Sequence, residues 1–170
     1  MNTVAIVTGG AKGIGFGSAL RLLEDGATVI IFDLDEKAIA SAKEECAKYG
    51  DRFSAIKVDI ASDAQVKKAV TDVGNKYGHI NYLVNSAGIQ TYGTAEDTSE
   101  ELWDRTFGVN VKAMYLTSKY AIPFMRKAKG GSIVNISSVQ ALSNQTNVLA
   151  YASSKGCLLY TSDAADEGLG

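Results

Sequence analysis

Short apolar runs alternate with charged or amphipathic stretches along the chain, and this alternation repeats five times. The apolar runs are rich in Val and Ile and stop at Gly, Asp, Asn or Ser, which is typical of strands buried on both faces. We therefore predict strands at residues 3–8, 28–32, 53–58, 80–84 and 132–136.

The stretches between these runs have helical spacing. The predicted helices begin near residue 14, cover residues 36–49, 62–76 and 98–129, and end with a helix that carries Tyr151. A Gly-Val-Asn segment and a proline interrupt the long fourth helix. Two capping boxes are expected to start helices, one at Ser62-x-x-Gln65 and one at Thr98-x-x-Glu101.

Repeated alternation of apolar strands with helices predicts an α/β fold, a doubly wound parallel sheet of the Rossmann-like kind. Ligands bind such sheets at the carboxyl ends of the strands, near the point where the strand order reverses. Polar residues or glycines follow every predicted strand, so the candidate chemistry should collect at one edge of the sheet.

A glycine-rich turn, TGGAKGIG, connects the first predicted strand to the first helix. Glycines there permit a tight turn and let backbone amides approach a pyrophosphate at a helix N-terminus. No Gly-Lys-Ser/Thr follows, so the magnesium-binding hydroxyl of a Walker loop is missing. The turn predicts a dinucleotide site, and its candidate contacts are Thr8, Gly9, Gly10, Lys12, Gly13, Ile14 and Gly15.

Two residues give opposite indications of which dinucleotide binds. Asp33 ends the second strand, where a carboxylate can accept hydrogen bonds from the adenosine ribose and repel a 2'-phosphate. Lys12 lies in the glycine turn, where a basic side chain could neutralise that phosphate. We give Asp33 more weight, because an unfavourable charge beside a phosphate is a strong negative determinant. NAD is therefore predicted, and NADP is less favoured.

Tyr151 and Lys155 stand one helical turn apart, thirteen residues after Ser138. A phenol titrates near ~10 in water, so its use as a base near neutrality needs about 4 kcal/mol of differential stabilisation. An ammonium group one turn away, together with a cationic nicotinamide ring, can stabilise the phenolate. The spacing alone is also that of an ordinary surface pair, so the rest of the chain carries the interpretation.

Composition narrows the class of protein. With 170 residues and 46% apolar content, the chain is long enough for one domain with a real core. A net charge of -2 does not favour nucleic acid or an anionic membrane as partner, and no apolar run is long enough to cross a bilayer. A cytoplasmic location is expected. Cys46 and Cys157 form no C-x-x-C pair, so neither a disulfide framework nor a metal site is predicted.

Taken together, the motifs resemble those of the short-chain dehydrogenase/reductase family. The matching segments are TGGAKGIG, Asp59, NSAG at residues 85–88, Asn110, SIVNISS ending at Ser138, and YASSK at residues 151–155. They span residues 3 to about 156. Ser86 is a small departure, since Asn is commoner there in the family.

The resemblance implies a role for each matching residue. The tyrosine would be the general acid/base, the lysine would bind the nicotinamide ribose, and the serine would orient the substrate oxygen. The asparagine would hold a water that relays protons. The implied catalytic residues are Asn110, Ser138, Tyr151 and Lys155. The implied cofactor contacts outside the glycine turn are Asp33, Asp59, Ile60, Asn85, Ala87, Gly88, Tyr151 and Lys155.

The resemblance implies an NAD(P)-dependent oxidoreductase that transfers hydride between a nicotinamide cofactor and an alcohol or carbonyl substrate, such as a sugar or polyol. Two alternatives stay open at this point. One is a reductase of 3-oxoacyl thioesters that uses NADPH, and the other is a cofactor-binding fragment without activity. The substrate itself is not determined by the visible loops.

We expect residues 1–156 to form the dinucleotide-binding and catalytic domain, and residues 157–170 to form a non-native or disordered tail. The segment CLLYTSDAAD, from Cys157 to Asp166, looks like the translation of a transposase-end adapter joined to a truncated gene. Truncation would leave the fifth strand as an exposed apolar edge. Family members are commonly tetramers or dimers, and assembly of the truncated chain is doubtful.

Overall fold

The computed structural model describes residues 3 to 161, except for the side chains at 160 and 161. Five parallel strands form one sheet, in the order β3-β2-β1-β4-β5. The strands are β1 Val4–Thr8, β2 Thr28–Asp33, β3 Phe53–Lys57, β4 Tyr82–Asn85 and β5 Ser132–Asn135.

Within residues 3–161, six α-helices connect or follow the strands. They are α1 Gly13–Glu24, α2 Glu36–Glu45, α3 Asp63–Tyr77, α4 Glu100–Phe107, α5 Ala113–Lys127 and α6 Leu149–Thr161. Short 3₁₀ turns cover Ala47–Arg52 and Val139–Ala141, and a π-helical segment, Gly108–Lys112, joins α4 to α5.

The strand order reverses between β1 and β4, which confirms the predicted doubly wound, Rossmann-like α/β fold. The ends of neighbouring strands are level, because Thr8 pairs with Phe32 and with Asn85, and Asn85 pairs with Asn135. The segments that follow these residues therefore emerge along one edge of the sheet, as the sequence predicted.

Alternate residues of β1 enter two separate hydrophobic cores. Val4 and Ile6 pack with α3 and α5 on one face, whereas Ala5 and Val7 pack with α1 and α2 on the other. All four side chains are at most 1% exposed. Burial on both faces explains why this strand reads as a continuous apolar run.

The edge strand β5 differs from the strands in the middle of the sheet. Among the described residues it pairs only with β4. Ile133 and Val134 are 36% and 48% exposed. The predicted apolar edge is thus present at this strand.

Both predicted capping boxes are wrong. Ser62 precedes α3 but makes no side-chain capping bond. The reciprocal bond is also missing, since Gln65 Oε1 accepts a hydrogen bond from the Asp59 N–H at 2.9 Å. The cap of α4 is Ser99, one residue later than predicted, and its hydroxyl accepts from the Leu102 N–H at 3.2 Å. The neighbouring Thr98 hydroxyl donates to the Thr94 carbonyl at 2.6 Å.

Several predicted boundaries also move. The second helix ends at Glu45, where the sequence predicted 49, and a 3₁₀ turn at Ala47–Arg52 follows it. Gly50 lies inside that turn with φ +55°, a conformation outside the α-helical region. The fourth strand begins at Tyr82, two residues late. The predicted interruption at 108–110 is a π-helical segment, whereas Pro123 lies inside α5 without ending it.

The predicted domain boundary at residue 156 falls inside α6. The helix continues to Thr161, and Leu158 is 4% exposed. The rest of the predicted tail, residues 162–170, lies outside the described residues, so its origin stays a prediction. Between residues 3 and 161, no helix is long and apolar enough to cross a bilayer.

Candidate active site

A cleft of about 520 Å³ opens at the carboxyl ends of the strands, around the β1–β4 reversal. It brings both predicted halves of the site together, the glycine turn at one end and the tyrosine-lysine pair at the other. Eleven of the predicted site residues line it: Gly9, Lys12, Gly13, Ile14, Asp33, Asp59, Ile60, Ala87, Gly88, Tyr151 and Lys155.

The glycine turn is shaped by two close backbone approaches. Gly9 has φ +60°, and a Cβ there would lie 2.7 Å from the Ala87 Cα. A Cβ on Gly15 would lie 2.2 Å from the Gly9 carbonyl oxygen. Neither contact can be relieved by rotating a side chain, because both involve backbone atoms. The turn therefore depends on glycine at these two positions.

Thr8 and Gly10 pack against neighbouring strands and loops and do not line the cleft. Thr8 is 2% exposed, and its hydroxyl accepts a hydrogen bond from the Ala87 N–H at 3.2 Å. Gly10 packs on Ile31, whose side chain would lie 2.6 Å from an added Cβ. Both residues therefore stabilise the path of the turn, and their predicted contact with a cofactor stays a prediction.

Three charged side chains, those of Lys12, Asp33 and Asp35, lie together at the glycine turn. Asp33 Oδ2 accepts from the Ala11 N–H at 3.1 Å, and Asp33 Oδ1 accepts from the Leu34 and Asp35 N–H groups at 2.8 and 3.1 Å. The Lys12 ammonium forms an ion pair with Asp35. A hydrogen bond to Asp35 and the charge of that carboxylate raise the pKa of Lys12 above its ordinary value.

Asp59 and Ile60 form the wall beyond β3. Asp59 is half-buried, and its Oδ1 accepts from the Ala61 N–H at 3.0 Å. Ile60 is 8% exposed and belongs to the core beneath the cleft. The wall thus combines an anchored carboxylate with an apolar surface.

Asn85 lies at the end of β4 but under the cleft rather than in its wall. The side chain is 1% exposed, its amide donates to Asn135 Oδ1 at 2.8 Å, and its Oδ1 accepts from the Thr117 hydroxyl at 2.7 Å. Asn85 therefore ties β4 to β5 and α5. The following residues, Ala87 and Gly88, do reach the cleft.

Asn110 is fully buried in the π-helical segment. Its Oδ1 accepts from the Ile89 N–H at 2.8 Å, and its Nδ2 donates to the Ile89 carbonyl and the Ser154 hydroxyl, both at 3.0 Å. A Cβ on Gly88 would lie 3.3 Å from Asn110 Oδ1 and 3.5 Å from Lys155 Nζ. Asn110 thus holds the β4 loop beside the lysine, and its predicted water stays a prediction.

Lys155 is 4% exposed, and its ammonium donates to the Ile136 carbonyl at 2.8 Å. Its Nζ lies 5.9 Å from the centre of the Tyr151 ring. Burial lowers the pKa of Lys155, because the charged form loses hydration. The pair is therefore held by the fold at the far end of the cleft and is not a surface pair.

Ser138 and Ser137 differ in position. Ser138 is half-buried outside the cleft lining, and its hydroxyl oxygen accepts from the Gln140 N–H at 3.2 Å. That bond uses a lone pair, so the hydroxyl proton can still be donated to a substrate. Ser137 lines the cleft, and its hydroxyl donates to the Lys155 carbonyl at 3.0 Å. Ser137 was not among the site residues predicted from the sequence.

Other cleft or cleft-side residues were also missed. Ser86, Ile89 and Gln90 line the cleft after β4, and Asp35 pairs with Lys12. Ser86 could have been found from its place in the matching NSAG segment. Asp35 carries a weaker signal, the two-residue spacing from Asp33 at the end of a strand.

A dinucleotide fits this cleft. Helix α1 begins at Gly13, and its N-cap residue makes no side-chain capping bond, so the first-turn amides can serve an anion. Gly13 lines the cleft, and no atom lies within 4 Å of a Cβ built there. This open space is where a pyrophosphate would approach. Asp33 and Lys155 would then bracket the two nucleoside ends.

Comparison with known proteins agrees with this geometry. The family model for short chain dehydrogenase matches residues 3–168. An uncharacterized oxidoreductase of Thermotoga maritima is 41% identical over 158 residues, which are 92% of this chain and 61% of that protein. Cyclopentanol dehydrogenase of Comamonas sp. is 36% identical over 163 residues, which are 95% of this chain and 65% of that protein.

A solved structure of NAD+-bound xylitol dehydrogenase matches with a TM-score of 0.89 and 27% identity, covering 96% of this chain and 63% of that one. The chain thus spans about three fifths of the length of the curated relatives it matches. Because the family model covers almost the whole chain and the fold agrees with it, this chain belongs to the short chain dehydrogenase family.

Proposed function

We propose that the chain carries the nucleotide-binding and catalytic part of an NAD-dependent oxidoreductase, which transfers hydride between a nicotinamide cofactor and an alcohol or carbonyl substrate. The observation that carries this proposal is the single cleft that joins the glycine turn to Tyr151 and Lys155. One end of that cleft suits a pyrophosphate, and the other offers a proton-transfer group.

NAD is proposed over NADP on electrostatic grounds. The carboxylate of Asp33 lines the adenosine end, where it would accept from ribose hydroxyls and repel a 2'-phosphate. The nearby ammonium of Lys12 is already paired with Asp35. This pairing argues against the alternative of an NADPH-dependent reductase of 3-oxoacyl thioesters.

When bound, a nicotinamide dinucleotide would supply the hydride acceptor or donor. The Tyr151 hydroxyl would take the alcohol proton during oxidation and return it during reduction. The buried Lys155 ammonium would stabilise the phenolate, and its bond to the Ile136 carbonyl fixes its position. Ser138 would donate its hydroxyl proton to the substrate oxygen. Asn110 would position the β4 loop beside Lys155 through its two bonds to Ile89.

A sugar, a polyol or a similar alcohol is proposed as the substrate class. The support is indirect: two of the similar proteins are named for cyclopentanol and xylitol. Assembly into a dimer or tetramer stays a prediction.

The test is Tyr151→Phe, which removes one hydroxyl and leaves the ring that lines the cleft. Turnover should fall about 10²- to 10⁴-fold, because general acid/base catalysis contributes that much. The dissociation constant of NADH should stay within about twofold, since the glycine turn is untouched. Turnover is followed by the change in NADH absorbance with a panel of alcohols, and binding by NADH fluorescence.

The exposed Tyr115→Phe is the matched control, since it removes the same atom from a residue that does not line the cleft. Equal turnover of Tyr151→Phe and its parent would refute the proposed mechanism. If the parent and Tyr151→Phe both bind NADH but neither turns over any alcohol, the result would instead support the alternative of a cofactor-binding fragment.

A further inference from the structure

Lys12 forms an ion pair with Asp35, and of these two residues Asp35 is the one that the fold holds in place. Asp35 is the N-cap residue of α2, and its Oδ1 accepts from the Lys37 and Ala38 N–H groups at 3.0 and 3.1 Å. The other carboxylate oxygen, Oδ2, takes the Lys12 ammonium. The position of the negative charge is therefore set by two backbone donors, although the Lys12 side chain is 64% exposed.

Lys12 is the basic side chain at the adenosine end of the cleft. The cleft is lined by two lysines, Lys12 and Lys155, and Lys155 is at the catalytic end, bonded to Ile136. Asp33 lines the same adenosine end as Lys12. Among the residues that line the cleft, Lys12 is therefore the one that could offer a favourable charge to a 2'-phosphate.

Two carboxylates lie near this one ammonium, but they do different things. Asp33 is held by three backbone N–H groups and does not take the ammonium. Asp35 does take it, and Asp35 is also the main reason that the pKa of Lys12 is raised, while the charge of Asp33 contributes least. The positive charge of Lys12 is therefore paired with Asp35 rather than with Asp33.

We propose that Asp35 is a specificity-determining residue, which keeps the Lys12 ammonium in an ion pair and so withholds it from the 2'-phosphate of NADP. Selection for NAD then has two parts: Asp33 repels the phosphate, and Asp35 occupies the cation that would attract it. This inference rests on the proposed use of a nicotinamide dinucleotide.

The test is a double-mutant cycle of Asp35→Asn and Lys12→Gln in the full chain. Asn is as good an N-cap residue as Asp, so Asp35→Asn removes the charge and keeps the start of α2. Dissociation constants of NADH and NADPH are measured by nucleotide fluorescence, and thermal unfolding checks that all four proteins fold alike.

Asp35→Asn should tighten NADPH binding about threefold to fivefold, the range expected for an exposed ion pair, and change NADH binding less than about twofold. In the Lys12→Gln background the same change should have a smaller effect on NADPH, because only the direct repulsion by Asp35 is removed. The difference between the two backgrounds is the contribution of the released ammonium.

Equal effects of Asp35→Asn in both backgrounds would overturn the inference, while leaving NAD use intact if the parent still binds NADH. Tighter binding of NADPH than NADH by the parent would also overturn it. If the parent binds neither nucleotide, the proposed function itself fails and the inference falls with it.

Discussion

The ends of β1 and β5 serve the same cleft but are built in different ways. β1 lies in the middle of the sheet, paired with β2 and β4, and its side chains from Val4 to Thr8 are at most 2% exposed. The turn after it is shaped by the backbone, since the approaches at Gly9 and Gly15 leave no room for a Cβ. The nucleotide end is thus determined by the path of the main chain.

The end of β5 depends on hydrogen bonds between residues distant in the chain. The Ser137 hydroxyl donates to the Lys155 carbonyl, and the Lys155 ammonium donates to the Ile136 carbonyl. These bonds join an edge strand, half-exposed at Val134, to α6. The nucleotide end is therefore positioned by close backbone packing, whereas the catalytic end is also tied together by hydrogen bonds between distant residues.

The largest expected effect is on NADH binding, when a substitution disrupts the glycine turn at the nucleotide end. Gly15→Ala places a Cβ 2.2 Å from the Gly9 carbonyl oxygen, so the turn must move. Losing one or two charge-assisted hydrogen bonds to a pyrophosphate, at about 1.5–3 kcal/mol each, should weaken NADH binding by about 100-fold. NADH fluorescence titration measures this change.

Gly17→Ala is the matched control, because it lies in the same helix with no atom within 4 Å of an added Cβ. It should leave NADH binding unchanged and stabilise the fold by about 0.5–1 kcal/mol, since alanine is the better helix former. Loss of NADH binding in both variants would show that the effect comes from α1 as a whole and not from the turn.

Sequence alone was sufficient for the fold class and for the glycine turn. The turn could be predicted because its requirement is local: glycines at this spacing, between a buried strand and a helix, are typical of a dinucleotide-binding turn. The gathering of distant residues followed from parallel geometry, which places every strand's carboxyl end at one edge. The structure adds that Thr8, Gly10 and Asn85 lie beneath that edge rather than on it.

The sequence alone could not show which hydrogen-bond or ion-pair partner a polar side chain takes. Ser62 and Gln65 fit a capping box, yet Gln65 bonds to Asp59 instead. The pairing of Lys12 with Asp35 joins residues 23 apart in the chain. Such contacts are decided by competing tertiary neighbours, which leave no periodicity in the sequence.

A smaller effect is expected on the free energy of unfolding, and it tests the difference in burial between β1 and β5. Val7→Thr and Val134→Thr each replace one methyl group with a hydroxyl at nearly constant volume, the first at a buried position and the second at an exposed one, 0% and 48% exposed. At Val7 the new hydroxyl is buried among apolar groups, which costs about 1–3 kcal/mol. At Val134 the hydroxyl reaches water, so less than about 0.5 kcal/mol is expected. Urea unfolding measures both, and equal losses would contradict the difference in packing.

The smallest effect concerns the pH dependence of stability at the catalytic end. Burial lowers the pKa of Lys155 below its ordinary value of 10.5. Between the lowered value and 10.5 the unfolded chain therefore binds more protons than the folded chain, and the unfolding free energy rises with pH. The destabilisation from the buried charge is complete below this window and disappears as the pH rises through it.

Lys155→Met removes this dependence, so the unfolding free energy of the parent should rise relative to Lys155→Met as the pH approaches 10.5. Urea unfolding at several alkaline pH values measures the difference, and Lys67→Met, at an exposed position on α3, corrects for loss of a surface lysine. A difference that falls with pH would mean that the ammonium gains more from the Ile136 carbonyl and its surroundings than it loses in hydration. In that case the catalytic end would be held by a stabilising ion, and its contrast with the packed nucleotide end would weaken.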